Sequence, residues 1–349
     1  MKNIVNNYLL KSFNGLSDKL FINISRAFLA VLLISQLFSC NPSMSSEEGR
    51  KHLKALDNEL IQISTRLSKA DAFKGLVELG KIQNLPLPFK QTPAIDSLNE
   101  AAPFDFNLHK GLYNVDSKTR TACLERPSDS LIVYFPFQTS FDTLATFILT
   151  EYEESETALE MLFPVRMKAK LIAGEVEFFN IDFFATIEHG FPSRADLKMT
   201  FGYFFLEGRM KTSFGKKTSS TEVELRLSED DKTIIKGAMF SEIKISPDKT
   251  LIFNNKRTDF FVYPVNINFR SGFDFSEIDH ASIVKDFNQA TTFKITDKNK
   301  RKIGDIYLEE TMKKDRIIMM IRYADNTEDD LEDVMIFIKR LLNIKFVSL

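Results

Sequence analysis

Tryptophan is absent from these 349 residues, histidine occurs four times and cysteine twice. Two cysteines, Cys40 and Cys123, build no disulfide framework, and no Cys-x-x-Cys or His-x-x-x-His spacing offers a zinc site. His52, His109, His189 and His280 stand singly. His280 beside Asp279 is the one adjacent imidazole and acid; on a polar stretch it reads as a solvated pair, because a catalytic dyad also needs a nucleophile. The Gly-x-Ser-x-Gly elbow, the P-loop and the dinucleotide fingerprint are missing too. No excess of positive charge exists: Lys+Arg 46 stand against Asp+Glu 48, a balance that argues against a nucleic-acid partner. Nor does any apolar run reach the roughly 20 residues of a spanning helix.

What the chain has in quantity is phenylalanine, 33 residues of it, which implies either a thick core or an apolar surface kept for a ligand or partner. Its carboxylates gather at Glu151, Glu153, Glu154 and Glu156 and again at Glu328, Asp329 and Asp330. Neither group has the Gly and Asx pattern of a calcium loop or a visible partner across a cleft, so a charged loop and a helix cap are expected. Cys123 has no base beside it and reads as a small buried hydrophobe. No catalytic residue, metal ligand or cofactor site is expected.

The N-terminus carries Lys2, Lys11, Lys19 and Arg26 ahead of about a dozen apolar residues from Phe28, the charged and apolar regions of a secretory signal. The run stops at Cys40, with Asn41 and Pro42 behind it. Leu37, Phe38, Ser39 and Cys40 resemble the lipobox of bacterial lipoproteins. The resemblance implies removal of residues 1–39 and attachment of palmitate-type acyl chains to Cys40, which then acts as an anchor and not as a catalyst. Two or three chains hold a protein firmly to a membrane where one does not. Asn41, in place of an aspartate, implies the outer membrane, and Ser45, Ser46, Glu47 and Glu48 resemble the acidic tag that exports lipoproteins of Bacteroidota to the cell surface. The same residues also form a capping box, Ser45-x-x-Glu48. Loss of residues 1–39 removes four basic residues and one acidic, Asp18, leaving 42 against 47 and a net charge of −5.

After a tether at 40–46, Leu53, Leu56, Leu60, Ile63, Leu67 and Ala70 recur at spacings of three and four, predicting an amphipathic helix within 47–82, strongest to about 74, that lies on a sheet rather than standing free. Gly75 and Gly80 are expected to loosen its end. Pro86, Pro88 and Pro93 mark a linker over 83–100. From 101 the period becomes two. Alternation at Val165–Leu171, Phe179–Ile187, Leu197–Tyr203, Val223–Leu227 and Ile234–Ile245, with turns at Ala173–Gly174, His189–Gly190, 214–220 and 228–232, predicts a meander. Val176 and Phe178 break parity with Phe179, which predicts a bulge there. Alternating stretches follow at about 260–270 and 303–310. Arg316–Tyr323 reads as a last strand, and 327–345 as a closing helix.

Gly111-Leu112-Tyr113, opening the first strand, the proline-ended run Ser130–Phe137, and the turn Gly190 to Ser193 are similar to uncharacterised lipoproteins of Bacteroidota over about residues 100–250. That resemblance implies no particular activity. The fold expected is mainly β (α+β), a curved antiparallel meander sheet or partly open barrel over 101–349, with the N-terminal helix and a C-terminal helix packed on it. The function expected is a non-enzymatic binding or structural module, lipid-anchored at the outer membrane on its periplasmic or surface side, with a hydrophobic ligand or a protein as partner. The alternative is a carrier of a lipid or other hydrophobic ligand in an unclosed barrel; a hydrolase ranks third.

Overall fold

The computed structural model describes residues 44–88, 104–137, 144–158, 161–215, 218–245, 251–272, 282–311 and 316–337. The signal segment, Cys40 and His280 lie outside them, as do most of the expected linker and the end of the closing helix. Within them the chain is mainly β. The first strands are β1 (Gly111–Val115), β2 (Ala122–Arg126), β3 (Leu131–Pro136), β4 (Leu144–Glu156) and β5 (Leu162–Ala173). Next come β6 (Val176–Glu188), β7 (Phe191–Phe201), β8 (Phe204–Ser213), β9 (Ser219–Glu229), β10 (Lys232–Ile245), β11 (Leu251–Val262) and β12 (Val265–Ser271). The last are β13 (Thr291–Asp297), β14 (Lys302–Thr311), β15 (Arg316–Tyr323) and β16 (Glu328–Asp330).

These strands form one sheet that is not closed into a barrel. From β3 to β16 each strand neighbours the next in sequence, the meander that the alternation predicts. The exception is at the start, where β1 lies between β2 and β3 and runs parallel to β3. The helices are α1 (Ser46–Lys69), α2 (Asp71–Gly80), α3 (Phe106–His109), α4 (Ile283–Ala290) and α5 (Leu331–Val334). By its contacts the chain divides into two compact units, one holding the described residues of 66–209 and the other those of 44–65 and 210–337.

In the first unit, α2 buries Ala72, Gly75, Leu76 and Leu79. Gly75 does not loosen a helix end. It is the close-approach point of α2, since a Cβ there would sit 2.6 Å from Leu171 Cδ2 and 3.2 Å from Phe178 Cε2. The expected bulge is present: Leu171 pairs with Phe179 but Ile172 with Glu177, so Phe178 is the extra residue. Both phenylalanines are buried. The hairpin turns fall at Gly174 and at His189–Gly190 as expected, all with positive φ. Tyr203 does not extend the β7 face: the chain reverses at Gly202, and Tyr203 is left 78% exposed at the turn. The start of the expected linker is fixed, not free. Leu85 and Leu87 are buried, Gln83 N–H donates to Arg120 O at 2.8 Å, and Ala122 N–H donates to Gln83 O at 2.9 Å.

In the second unit, the stripe Leu53, Leu56, Leu60 and Ile63 of α1 is buried. Gly49 brings the first turn onto the sheet, where a Cβ would meet Tyr323 Cδ1 at 2.9 Å and Ile303 Cγ2 at 3.3 Å. Phe269 packs edge-on to Phe293 at 5.9 Å and against Phe287 of α4 at 6.2 Å. The Asn288 side chain takes the place of a missing strand neighbour, donating to Leu308 O and accepting from Leu308 N–H at 2.8 and 2.9 Å. The stretch 260–270 is two strands, because the chain turns at Tyr263–Pro264. Nor is β15 the last strand. Glu328–Asp330 pairs with it as β16, and the closing helix starts at Leu331, where the Asp330 side chain accepts from Glu332 N–H at 2.9 Å. The apolar positions Leu331 and Met335 are buried as the stripe requires.

Overpacking at a close-approach glycine costs about 1–3 kcal/mol. Gly75→Val is expected to lower the thermal midpoint by several degrees, whereas Gly272→Ala, with open space around the added methyl, should stay within about 0.5 kcal/mol of the parent. Thermal and denaturant melts of the two variants check this.

Candidate functional site

Side chains that face each other across a ladder share a face of the sheet, so the registers of β5, β6 and β7 define rows. Leu171, Phe179 and Phe201 form one row and are buried. Ala169, Ile181 and Met199 form the next, in which Met199 is only half-buried. Met167, Phe183 and Leu197 form a third, all half-buried. Phe163 continues the face, its ring 6.3 Å from that of Phe183. The apolar face therefore passes from covered to partly open along the strands. Phenylalanine and methionine there provide polarizable, adaptable surface, and none of these side chains is an acid, base or nucleophile. The other face carries cross-strand ion pairs, with Lys168 Nζ at 2.9 Å and Arg166 Nη1 at 3.5 Å from Glu151. Partly exposed pairs of this kind add at most about 1 kcal/mol each and chiefly favour one register.

Tyr152 stands opposite Met167 at the margin of the open rows. Its hydroxyl donates to Glu154, whose second oxygen accepts from Phe104 N–H at 3.0 Å. Phe104 lies edge-on to Tyr152 at 5.5 Å and stacks on His109 at 5.0 Å. Burial, then the hydrogen bond to Glu154, push the Tyr152 phenol well above its ordinary range. The phenol thus stays protonated and is a fixed donor, while His109 serves as a stacking partner. This places the expected acidic loop: Glu151, Glu153, Glu154 and Glu156 lie on β4 and not in a loop, and Glu151 and Glu154 turn to different partners. Their spacing along a strand sends neighbours to opposite faces.

In the second unit a polar cluster fixes the first turn of α1. Arg50 holds Asp329 through two hydrogen bonds of 2.5 and 3.1 Å, and Tyr323 Oη donates to the same carboxylate at 2.8 Å. The Arg50 guanidinium also lies 5.2 Å over the Tyr323 ring. Ser46 N–H donates to Asp325 at 2.8 Å, and Arg301 bridges Asp297 at 2.9 Å and Glu48 at 2.8 Å. Farther along α1, buried Asp57 accepts Phe337 N–H at 2.7 Å. At Asp329 burial raises the carboxyl pKa, but the Arg50 and Tyr323 hydrogen bonds outweigh it, and the group titrates below its ordinary value. Glu328, Asp329 and Asp330 thus work partly as the expected helix cap, through Asp330, and partly as α1's docking site.

Ser45 makes half of the expected capping box, its Oγ accepting Glu48 N–H at 3.3 Å. Glu47 and Glu48 have protein partners in Lys51 and Arg301. Cys123 is not buried: β2 turns Ala122 inward and leaves Cys123 exposed. Among the described residues no group of His, Cys, Asp and Glu gathers in a metal-binding arrangement, and no helix is long and apolar enough to cross a membrane. Comparison with protein-family models, with curated proteins and with solved structures finds no match to this chain.

A depressed carboxylate contributes stability that is complete above its unfolded pKa, about 3.9, and is lost as pH falls through the folded value. Acidification below about pH 4 should therefore loosen the first turns of α1 before the rest of the sheet. Asp329→Asn should do the same at neutral pH. Hydrogen exchange over residues 46–53 checks both, and protection that is insensitive to either change removes this role.

Proposed function

We propose that this chain is an outer-membrane lipoprotein, cleaved after Ser39 and acylated at Cys40, whose folded part is a non-enzymatic binding or structural module on the periplasmic or surface side. The observation that carries the proposal is the apolar run from Phe28 that ends in Leu37, Phe38, Ser39 and Cys40. The half-buried rows of β5 to β7 supply the surface for binding: apolar, adaptable and lacking reactive groups. The partners that suit it are a protein segment with an apolar face or a hydrophobic molecule.

The second reading is a carrier of a lipid or other hydrophobic ligand. It is favoured by the same rows, because Phe163, Met167, Phe183, Leu197 and Met199 are only partly covered and the sheet is not closed. Tyr152 at the margin gives its one O–H to Glu154, which leaves its oxygen to accept from the polar end of an apolar ligand.

Cys40→Ala is expected to release the protein from membranes or to leave an uncleaved precursor; intact-mass spectrometry that finds Cys40 unmodified in membrane-bound protein ends the anchor proposal. Native mass spectrometry of detergent-free protein beginning at Asn41 is expected to show a ligand-free chain. A lipid that co-purifies, and is lost in Met167→Asp, replaces the binding module with the carrier.

A further inference from the structure

Polarity on the open face of the first unit is confined to one end. The half-buried side chains of Phe163, Met167, Phe183, Leu197 and Met199 are apolar throughout, and β5, β6 and β7 each have a strand on both sides, so no backbone edge is open there. An extended peptide laid on these rows would leave its N–H and C=O groups unpaired against hydrocarbon. A molecule that is polar at one end only avoids that cost.

The polar end is built round the half-buried Glu154. Its two oxygens accept from Tyr152 O–H and from Phe104 N–H, and among the described residues no lysine, arginine or histidine forms an ion pair with it. Glu151, on the opposite face of β4, shows the contrast, since Lys168 and Arg166 both reach it. Lys110, just past α3, lies over the Phe106 ring at 5.2 Å. An ionised carboxylate accepts at about four lone-pair positions, so Glu154 has some to spare, and the Tyr152 oxygen keeps one as well. The two donors that touch Glu154 are already spent on it. The Phe104 and Tyr152 rings stand at 85° to each other with centres 5.5 Å apart, and their π systems add attraction for a positive charge. Exposed Glu156, two positions farther along β4, adds to the negative field.

We infer that this margin is a binding site for an organic ammonium, the head of an amphiphile whose apolar chain lies along the open rows of β5 to β7. The head gives its N–H hydrogens to Glu154 and to the Tyr152 oxygen, beside the two rings. The inference rests on the reading above in which these rows take a hydrophobic molecule, and it names the head that such a molecule carries. A carboxylate or phosphate head would meet Glu154 as a like charge, so acidic amphiphiles are selected against.

The chain from Asn41 onward, which keeps every described residue, tests this by calorimetric titration near neutral pH with decylamine, decanol and decanoate, each below its micelle-forming concentration. The probes share one chain length and differ in the charge of the head. Decylamine should bind one to one and about ten-fold or more tighter than decanol, as a charge-assisted hydrogen bond in a partly buried site warrants, with decanoate the weakest. Glu154→Gln keeps an acceptor for Phe104 N–H and should bring decylamine to within about two-fold of decanol, with decanol itself unchanged. Tyr152→Phe keeps the ring and should weaken decylamine by about three-fold or more. An ammonium preference that survives Glu154→Gln, or no preference over decanol, overturns the inference, while decanol binding leaves the rows standing as a surface for hydrophobic molecules. If none of the probes binds, both fall.

Discussion

A strand presents alternate side chains to opposite faces, so a sheet of sixteen strands keeps one apolar face only if the parity of every ladder is maintained. That constraint organises this protein. Where an odd residue would invert a strand, the chain absorbs it: Phe178 is looped into a bulge, and both it and Phe179 end up buried. Similar register shifts occur in β4 against β5 and in β10 against β11, between Phe240 and Glu242. The cost of each irregular step is local, whereas a one-residue slip would expose a whole row of phenylalanines and bury the charges of Lys168 and Asp182.

The helices depend on that face in turn. Each unit meets its helix at a glycine, Gly75 against Leu171 and Gly49 against Tyr323, which lets a helix backbone sit directly on side chains of the sheet. The two contacts differ in kind. The α2 contact is apolar, whereas the first turn of α1 is held by Arg50, Asp329 and Tyr323 in addition to its leucines. The polar contact has direction, and it fixes the first turn of α1 against Tyr323 and Asp329.

Much of the fold was legible because period-two alternation and glycine turns are local signals. The meander, the bulge at Phe178, the stripe on α1 and the turns at Gly174 and His189–Gly190 all came from patterns a few residues long. The parts that were not legible depend on partners distant in sequence. Gly75 looks like a helix breaker until Leu171 and Phe178 are known to lie against it. Glu328 to Asp330 resemble a helix start because acidic residues suit both a cap and a pairing with Arg50, 279 residues away. Cys123 was misplaced because β2 is an edge strand, where burial follows less closely from composition. As for the site, its phenylalanine surplus was visible, but which rows stay half-open was not, since coverage is decided by tertiary packing.

Among the described residues the sheet ends at β2, part of whose edge is taken by Gln83, and at β16, and an open strand edge invites a strand from another molecule. At β16 the ladder on offer is three residues long and entirely acidic, Glu328, Asp329 and Asp330. Two copies meeting there would set carboxylate against carboxylate. A border this short and this charged therefore works against edge-to-edge polymerisation into a continuous sheet.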